Sequence, residues 1–148
     1  MKRILLAGLI LALSAVTVQA KELKKVGITL GSLGNPFFVT MVNGATAKAK
    51  EYNPNVEVIS VSADYDLNKQ FTQVDNFIAA GVDVILINAV APNAIESAIK
   101  RAQKAGIAVI AVDVSAKGAD ATVQTTNVQA GEIACQYIVE KLNGKGDV

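Results

Sequence analysis

The sequence feature that most constrains the fold is a segment that occurs twice in the middle of the chain. GVDVILIN begins at Gly81 and GIAVIAVD begins at Gly106, and each consists of a glycine, an apolar run and one polar residue. Strands that are apolar on both sides are typical of a parallel sheet with both faces covered. A helix is predicted over 93–105 between the two segments, so they indicate βαβ units. The predicted fold class is α/β, a doubly wound parallel sheet with helices on both faces in flavodoxin-like order.

The remaining sequence continues the alternation of strands and helices. Further strands are predicted over 25–30, 56–61 and 122–125, and further helices over 36–52, 68–80 and 128–142. Asn35 is a suitable N-cap, and Pro36 suits the first helical position because its missing N–H would have no partner there. Gly81 is expected to end the second helix. Apolar spacing predicts an inward face of that helix formed by Leu67, Phe71, Val74 and Ile78.

The first twenty residues are typical of a cleavable export signal. Lys2 and Arg3 precede an apolar run over 4–16, and small residues over 18–20 fit a signal peptidase site. The run is shorter than the roughly 20 residues that span a bilayer, which disfavours a transmembrane helix. We therefore expect export with cleavage after Ala20, and no lipid anchor because no cysteine lies at the cut.

Composition narrows the classes of function. The chain is 51% hydrophobic and only 18% charged, which favours a folded core over disorder. Its formal net charge is +1 and it has no basic stripe, so no nucleic-acid partner is expected. The absence of histidine removes the most frequent general base and a common metal ligand. Phosphate-binding and nucleophile-elbow motifs are also missing. We expect no catalysis, no cofactor and no metal; an exported enzyme on a flavodoxin-like fold is the disfavoured alternative.

Polar residues follow three of the predicted strands, at the sheet edge where open α/β folds bind ligands. Asn88 and Asp113 end the two repeated segments, and GSLGNPFF (31–38) follows the first strand. Asn88 offers donors and acceptors, and an ionised Asp113 accepts. Adjacent helical residues point about 100° apart, so at least one of Phe37 and Phe38 is expected to lean toward the cleft, and Phe37 is the better candidate. Polar groups beside a flat apolar ring suit a sugar or another small polyol.

Each candidate also has a structural interpretation. Asn88 and Asp113 belong to residue types that frequently form turns and caps at strand ends. Phe38 lies on the predicted buried stripe of its helix, so core packing competes with ligand contact. Asp64 and Asp66, in DYDLN, are interpreted as the cap of the second helix.

The single cysteine, Cys135, lies on one face of the last predicted helix with Gly131, Ile138 and Leu142. A small apolar residue on such a face is predicted to be buried. The alternative is a disulfide with a partner outside this chain.

The order of these motifs resembles the periplasmic sugar-binding proteins of ABC transporters, the ribose-binding type in particular. NPFF, GVDVILIN, GIAVIAVD and TTNVQAGEIACQYI carry the resemblance, which runs over 24–148. It implies a two-lobed protein, with 21–125 an incomplete first lobe and 126–148 the start of a second, so the chain is expected to be truncated. Lactose-repressor-like regulators share this fold, but the export signal stands where their DNA-binding segment would be.

The resemblance implies a periplasmic receptor that delivers a monosaccharide or polyol to a membrane ABC permease, monomeric at full length. The alternative is a ligand-sensing subunit for a chemoreceptor or a membrane sensor kinase. The implied ligand-binding residues are Asn35, Phe37, Phe38, Asn88, Asp113 and Thr125. Val114 stands where the ribose-binding type usually has arginine, so a bidentate donor is missing. The expected ligand is therefore another pentose, a hexose or a cyclic polyol.

Overall fold

The computed structural model describes residues 22–146, so the predicted export signal and its cleavage after Ala20 lie outside the described residues. In chain order the elements are β1 (Lys25–Leu30), α1 (Pro36–Tyr52), β2 (Glu57–Ser62), α2 (Leu67–Ala80), β3 (Val84–Ile87), α3 (Glu96–Lys104), β4 (Ala108–Val112), β5 (Ala121–Val123) and α4 (Asn127–Lys141). Every predicted strand and helix is present, and the ends differ by a few residues at most. Within this part of the chain, no helix has the length and apolar content needed to cross a membrane.

The five strands form one parallel sheet in the order β2-β1-β3-β4-β5. The chain moves from β1 outward to β2 and then crosses to β3 on the other side, so strand order reverses between β1 and β3. This confirms the predicted α/β class and the flavodoxin-like order. The carboxyl ends of β1, β3 and β4 therefore lie side by side, at the edge where ligands bind in such folds.

Helices α2 and α3 cover one face of the sheet and form the larger apolar core. Alternate residues of β3 and β4 point into it, namely Ile85, Ile87, Val109 and Ala111, and all four are buried. The predicted inward face of α2 is confirmed, because Val74 is buried and Leu67, Phe71 and Ile78 pack half-buried against this core. The buried face also contains Gln70, Gln73 and Phe77, which the apolar spacing did not indicate. Both glutamines are buried because their amides find hydrogen-bond partners inside the protein.

Among residues 22–146, helix α1 alone covers the opposite face. Phe38 and Ala49 pack there with apolar residues of β1 in the smaller core. Val84 and Leu86, the other alternate residues of β3, are only half-buried at its margin. An apolar groove of about 260 Å³ stays open beside α1, lined by Leu23, Val26, Ala45, Lys48, Ala49, Tyr52, Val84 and Leu86. Helices on both faces are thus confirmed, although the two faces are covered unequally.

The segment from β5 onward is the most exposed part of the described chain. Every described residue from 121 to 146 is exposed, including all of α4. Cys135 is consequently an exposed free thiol, and the prediction that it is buried was wrong. Its helix face has no layer of the sheet to pack against.

The helix ends follow local sequence chemistry. Oδ1 of Asn35 accepts a hydrogen bond from the backbone N–H of Phe37 at 2.9 Å, and Pro36 is the first residue of α1. Asp66 caps α2 in the same way. Gly81 ends α2 with a φ of 63°, a conformation that glycine adopts without strain. These predictions are confirmed.

Candidate ligand-binding site

The parallel sheet brings together the two polar residues that follow β3 and β4. Nδ2 of Asn88 donates to Oδ2 of Asp113 at 3.1 Å and to the carbonyl oxygen of Val112 at 3.2 Å. Both partners are acceptors, so the amide nitrogen must face them and Oδ1 of Asn88 points elsewhere. Asn88 is only 6% exposed. Among residues 22–146, no donor occupies Oδ1 of Asp113, so that oxygen is free to accept from a ligand.

The backbone holds Asp113 in an unusual turn. Its φ is 68°, in the left-handed region that residues other than glycine seldom adopt. The N–H of Val114 donates to the carbonyl oxygen of Val112 at 2.8 Å, closing a three-residue turn of a rare and strained type. The N–H of Asp113 donates to Val123 of β5 at 2.8 Å. Strain of this kind is concentrated at binding and catalytic sites.

A cleft of about 340 Å³ lies open at this edge of the sheet. Its walls are formed by Phe37, Met41, Val112, Asp113, Val123, Gln124 and Thr125. Phe37 is 53% exposed, and its ring packs edge-on against that of Phe38 with 5.3 Å between centroids. Phe38 is 7% exposed. The buried ring therefore supports the exposed one, which is free to cover an apolar surface of a ligand.

The structure places the six predicted site residues unequally. Phe37, Asp113 and Thr125 line the cleft, and Asn88 lies behind Asp113 in direct contact with it. Asn35 and Phe38 are not among the lining residues: Oδ1 of Asn35 is engaged in the cap of α1, and Phe38 is part of the smaller core. Ligand contact by these two residues remains a prediction.

Four lining residues were not predicted from the sequence. Met41 lies four positions after Phe37, so both residues occupy the same face of α1. Val112 and Val123 flank Asp113 on β4 and β5, and Gln124 adjoins Thr125. The helical spacing from Phe37 was a usable signal for Met41, whereas the position of β5 beside β4 was known only from the folded sheet.

The acidic residues of DYDLN lie on the neighbouring β2–α2 connection. Asp66 is the cap of α2, but Asp64 is not part of it. The ammonium of Lys69 and the hydroxyl of Ser62 donate to the Asp64 carboxylate and hold its pKa below the usual value. No group of three potential metal-ligating side chains occurs in the part of the chain that the structure describes.

Comparison with known proteins assigns the chain to a family. The sequence profile of the periplasmic binding protein domain matches residues 26–148. The chain belongs to this family. Its members are periplasmic proteins that bind substrates for transport, in agreement with the resemblance seen in the sequence.

Curated relatives of this periplasmic binding protein include sugar and polyol receptors. The ribose import binding protein RbsB of Bacillus subtilis is 37% identical over 123 residues, covering 82% of this chain and 39% of its own length. The D-ribose/D-allose-binding protein of Pseudomonas aeruginosa is 34% identical, over 70% of this chain and 33% of its own. The chain thus spans less than half the length of these relatives.

Solved structures of ABC transporter solute-binding proteins share the fold. One from Actinobacillus succinogenes with bound D-allose has a TM-score of 0.74 and 26% identity, over 83% of this chain and 46% of its own. One from Bacillus halodurans with bound myo-inositol has a TM-score of 0.72 and 27% identity, over 86% and 45%. The described chain corresponds to one lobe of such two-lobed proteins.

Proposed function

We propose that this chain carries half of the binding cleft of a receptor that takes up a monosaccharide or a small polyol for an ABC transporter. One observation carries the proposal: Asp113, oriented by Asn88, lines the same cleft as the exposed ring of Phe37. A charge-assisted hydrogen bond from a ligand hydroxyl to Oδ1 of Asp113 is worth about 1.5–3 kcal/mol. Phe37 covers the C–H face of the ligand, and Thr125 and Gln124 supply further polar groups.

The ligand we favour is not ribose itself. Val114, which follows Asp113, has no donor and packs against the larger core. The cleft therefore lacks an arginine at this position, where a fork of donors would hold two adjacent hydroxyls. Another pentose, a hexose or a cyclic polyol fits better, and the relatives named for xylitol and D-apiose support ligands other than ribose.

The cellular context is part of the same proposal. Export with cleavage after Ala20 would deliver the receptor to the periplasm, with 21–125 forming the first lobe and a second lobe beginning at 126. The exposure of α4 supports this division, because its exposed apolar residues are available to pack against the rest of a second lobe. Relatives named as import binding proteins favour delivery to a permease over a sensor subunit.

The proposal is tested by titrating the ¹⁵N-labelled chain with D-ribose, D-allose, xylitol, D-apiose and myo-inositol and following backbone amide shifts, which detect weak binding. We expect saturable shifts at Phe37, Asp113 and Thr125 with at least one ligand other than ribose. Asp113→Asn should weaken that binding about 10-fold or more, the equivalent of a lost charged hydrogen bond.

The matched control is Asp75→Asn, which removes an exposed carboxylate on α2 that pairs with Arg101. It should leave the affinity unchanged. An absence of saturable shifts with all five compounds would contradict the proposed function.

A further inference from the structure

Gln70 of α2 is a polar residue with 0% exposure. Its amide is hydrogen-bonded at both ends: Nε2 donates to the carbonyl oxygen of Asn88 at 2.9 Å, and Oε1 accepts from the N–H of Val90 at 2.9 Å. Nε2 also lies 3.3 Å from the hydroxyl of Thr29. Glutamine is mostly exposed in proteins, so a fully buried one with a saturated amide indicates a specific structural task.

The partners of Gln70 are backbone groups just beyond the end of β3, which make no hydrogen bonds within the described sheet. Strand β3 ends at Ile87, and the N–H of Asn88 makes the last sheet-like bond, to the carbonyl oxygen of Thr29 at 2.9 Å. Beyond it, the carbonyl of Asn88 and the N–H of Val90 pair with no strand of the described chain. The amide of Gln70 supplies both missing partners, as a neighbouring strand would, and so determines the path of the chain where it leaves the sheet.

The Asn88 side chain connects this backbone segment to Asp113 at the cleft. Gln70 bonds the backbone carbonyl of Asn88. The side-chain amide of Asn88 donates to the carbonyl oxygen of Val112 on β4 and to Oδ2 of Asp113. We propose that Gln70 is a positioning residue of the ligand site, acting through Asn88 on the orientation of the Asp113 carboxylate. Its effect on affinity depends on the proposed function, whereas its effect on Asn88 does not.

Gln73 provides a matched control on the same helix. It is 8% exposed, its Oε1 accepts from the hydroxyl of Thr29 at 2.7 Å, and its Nε2 donates to the carbonyl oxygen of Ser62 at 2.8 Å. It makes no hydrogen bond to the segment 88–90 in the described structure. Loss of either amide leaves buried polar groups unsatisfied, so both changes should reduce stability. The loss of Gln70 should disturb Asn88 much more than the loss of Gln73, because Gln70 bonds the segment 88–90 directly and Gln73 is linked to it only through Thr29.

The experiment compares Gln70→Met with Gln73→Met, which preserve side-chain shape, in the whole chain. Side-chain amide resonances of Asn88 are recorded without ligand, and affinity is measured for the compound that shows the tightest binding to the unsubstituted chain. We expect Gln70→Met to shift the Asn88 Nδ2 resonances and to weaken binding about 10-fold more than Gln73→Met. In an Asn88→Ala background, Gln70→Met should have little further effect on affinity, because its route to Asp113 is already gone.

The outcomes separate the two proposals. Unmoved Asn88 resonances, or equal losses of affinity in the two glutamine variants, would overturn the positioning role. Additive effects of Gln70→Met and Asn88→Ala would do the same. If no compound binds the unsubstituted chain, the proposed function fails and the Asn88 resonances alone decide the role of Gln70. If Gln70→Met does not fold, hydrogen exchange of the unsubstituted chain decides: the Val90 amide should exchange as slowly as the buried amides of β3, and fast exchange would refute the bond to Gln70.

Discussion

The two faces of the sheet have similar sequences and different environments. On β3, Ile85 and Ile87 face α2 and α3 and are buried, whereas Val84 and Leu86 face α1 and are half-buried. The difference arises from the number of covering helices and not from the strand, which is apolar at all four positions. Hydrophobicity alone therefore does not tell how completely a residue is removed from water.

The candidate site draws a different contribution from each face. Helix α1, on the less covered face, contributes the apolar wall through Phe37 and Met41. Helix α2, on the closed face, contributes Gln70 from beneath, where its amide is shielded from water. In the proposed site, the apolar wall thus comes from the less covered side and the positioning amide from the packed side. Substitutions at equivalent positions on the two faces test this asymmetry.

The largest contrast is expected between adjacent residues of β3. Ile85→Ala removes a fully buried side chain from the larger core and should lower the free energy of unfolding by about 2–5 kcal/mol. Leu86→Ala should cost about half as much or less, because Leu86 already meets solvent beside the open groove. Urea unfolding of both variants measures the difference. Equal losses would mean that the α1 face is as well covered as the other.

A second contrast uses two glycines. A Cβ at Gly27 of β1 would lie 2.8 Å from ring carbons of Phe77 on α2, so Gly27→Ala should destabilise the protein by about 1–3 kcal/mol. A Cβ at Gly44 of α1 would meet nothing within 4 Å, so Gly44→Ala should stabilise by up to about 1 kcal/mol through helix propensity. Thermal unfolding of the two variants measures both the expected loss and the expected gain of stability. Destabilisation by Gly44→Ala would show a contact on the α1 face that the structure lacks.

The smallest contrast concerns ion pairs. Nε and Nη2 of Arg101 on α3 donate to the Asp75 carboxylate on α2 at 3.0 and 3.1 Å, so this ion pair joins two helices. In the described chain, α1 has no neighbouring helix on its face of the sheet with which to form such a pair. A double-mutant cycle with Arg101→Met and Asp75→Asn should give a coupling of about 0.5–1 kcal/mol that falls with added salt. The control cycle, Lys48 with Glu51 inside α1, should give about 0.2–0.5 kcal/mol. A larger coupling within α1 would contradict the expected order.

The fold was predictable from the sequence because its signals are local. Glycine at 81 and 106 ends one helical segment before each apolar run, and Asn35 with Pro36 begins a helix through backbone chemistry within three residues. Periodicity correctly indicated that Leu67, Phe71 and Ile78 of α2 face the core, but it missed the burial of Gln70. A glutamine is an unfavourable core residue until its particular partners are known, and those partners lie on β1 and beyond β3.

For the candidate site, the sequence by itself determined which groups lie near the carboxyl ends of the strands: an amide and a carboxylate directly after β3 and β4, and an aromatic pair in the first turn of α1. Helical spacing already indicated a buried Phe38 beside an exposed Phe37, and the structure agrees. Only the tertiary structure decided which atoms of these side chains have partners, by turning the amide of Asn88 toward Asp113. The physical reason is that residue type sets what a side chain is able to bind. The neighbours supplied by distant segments set which of its atoms are already occupied.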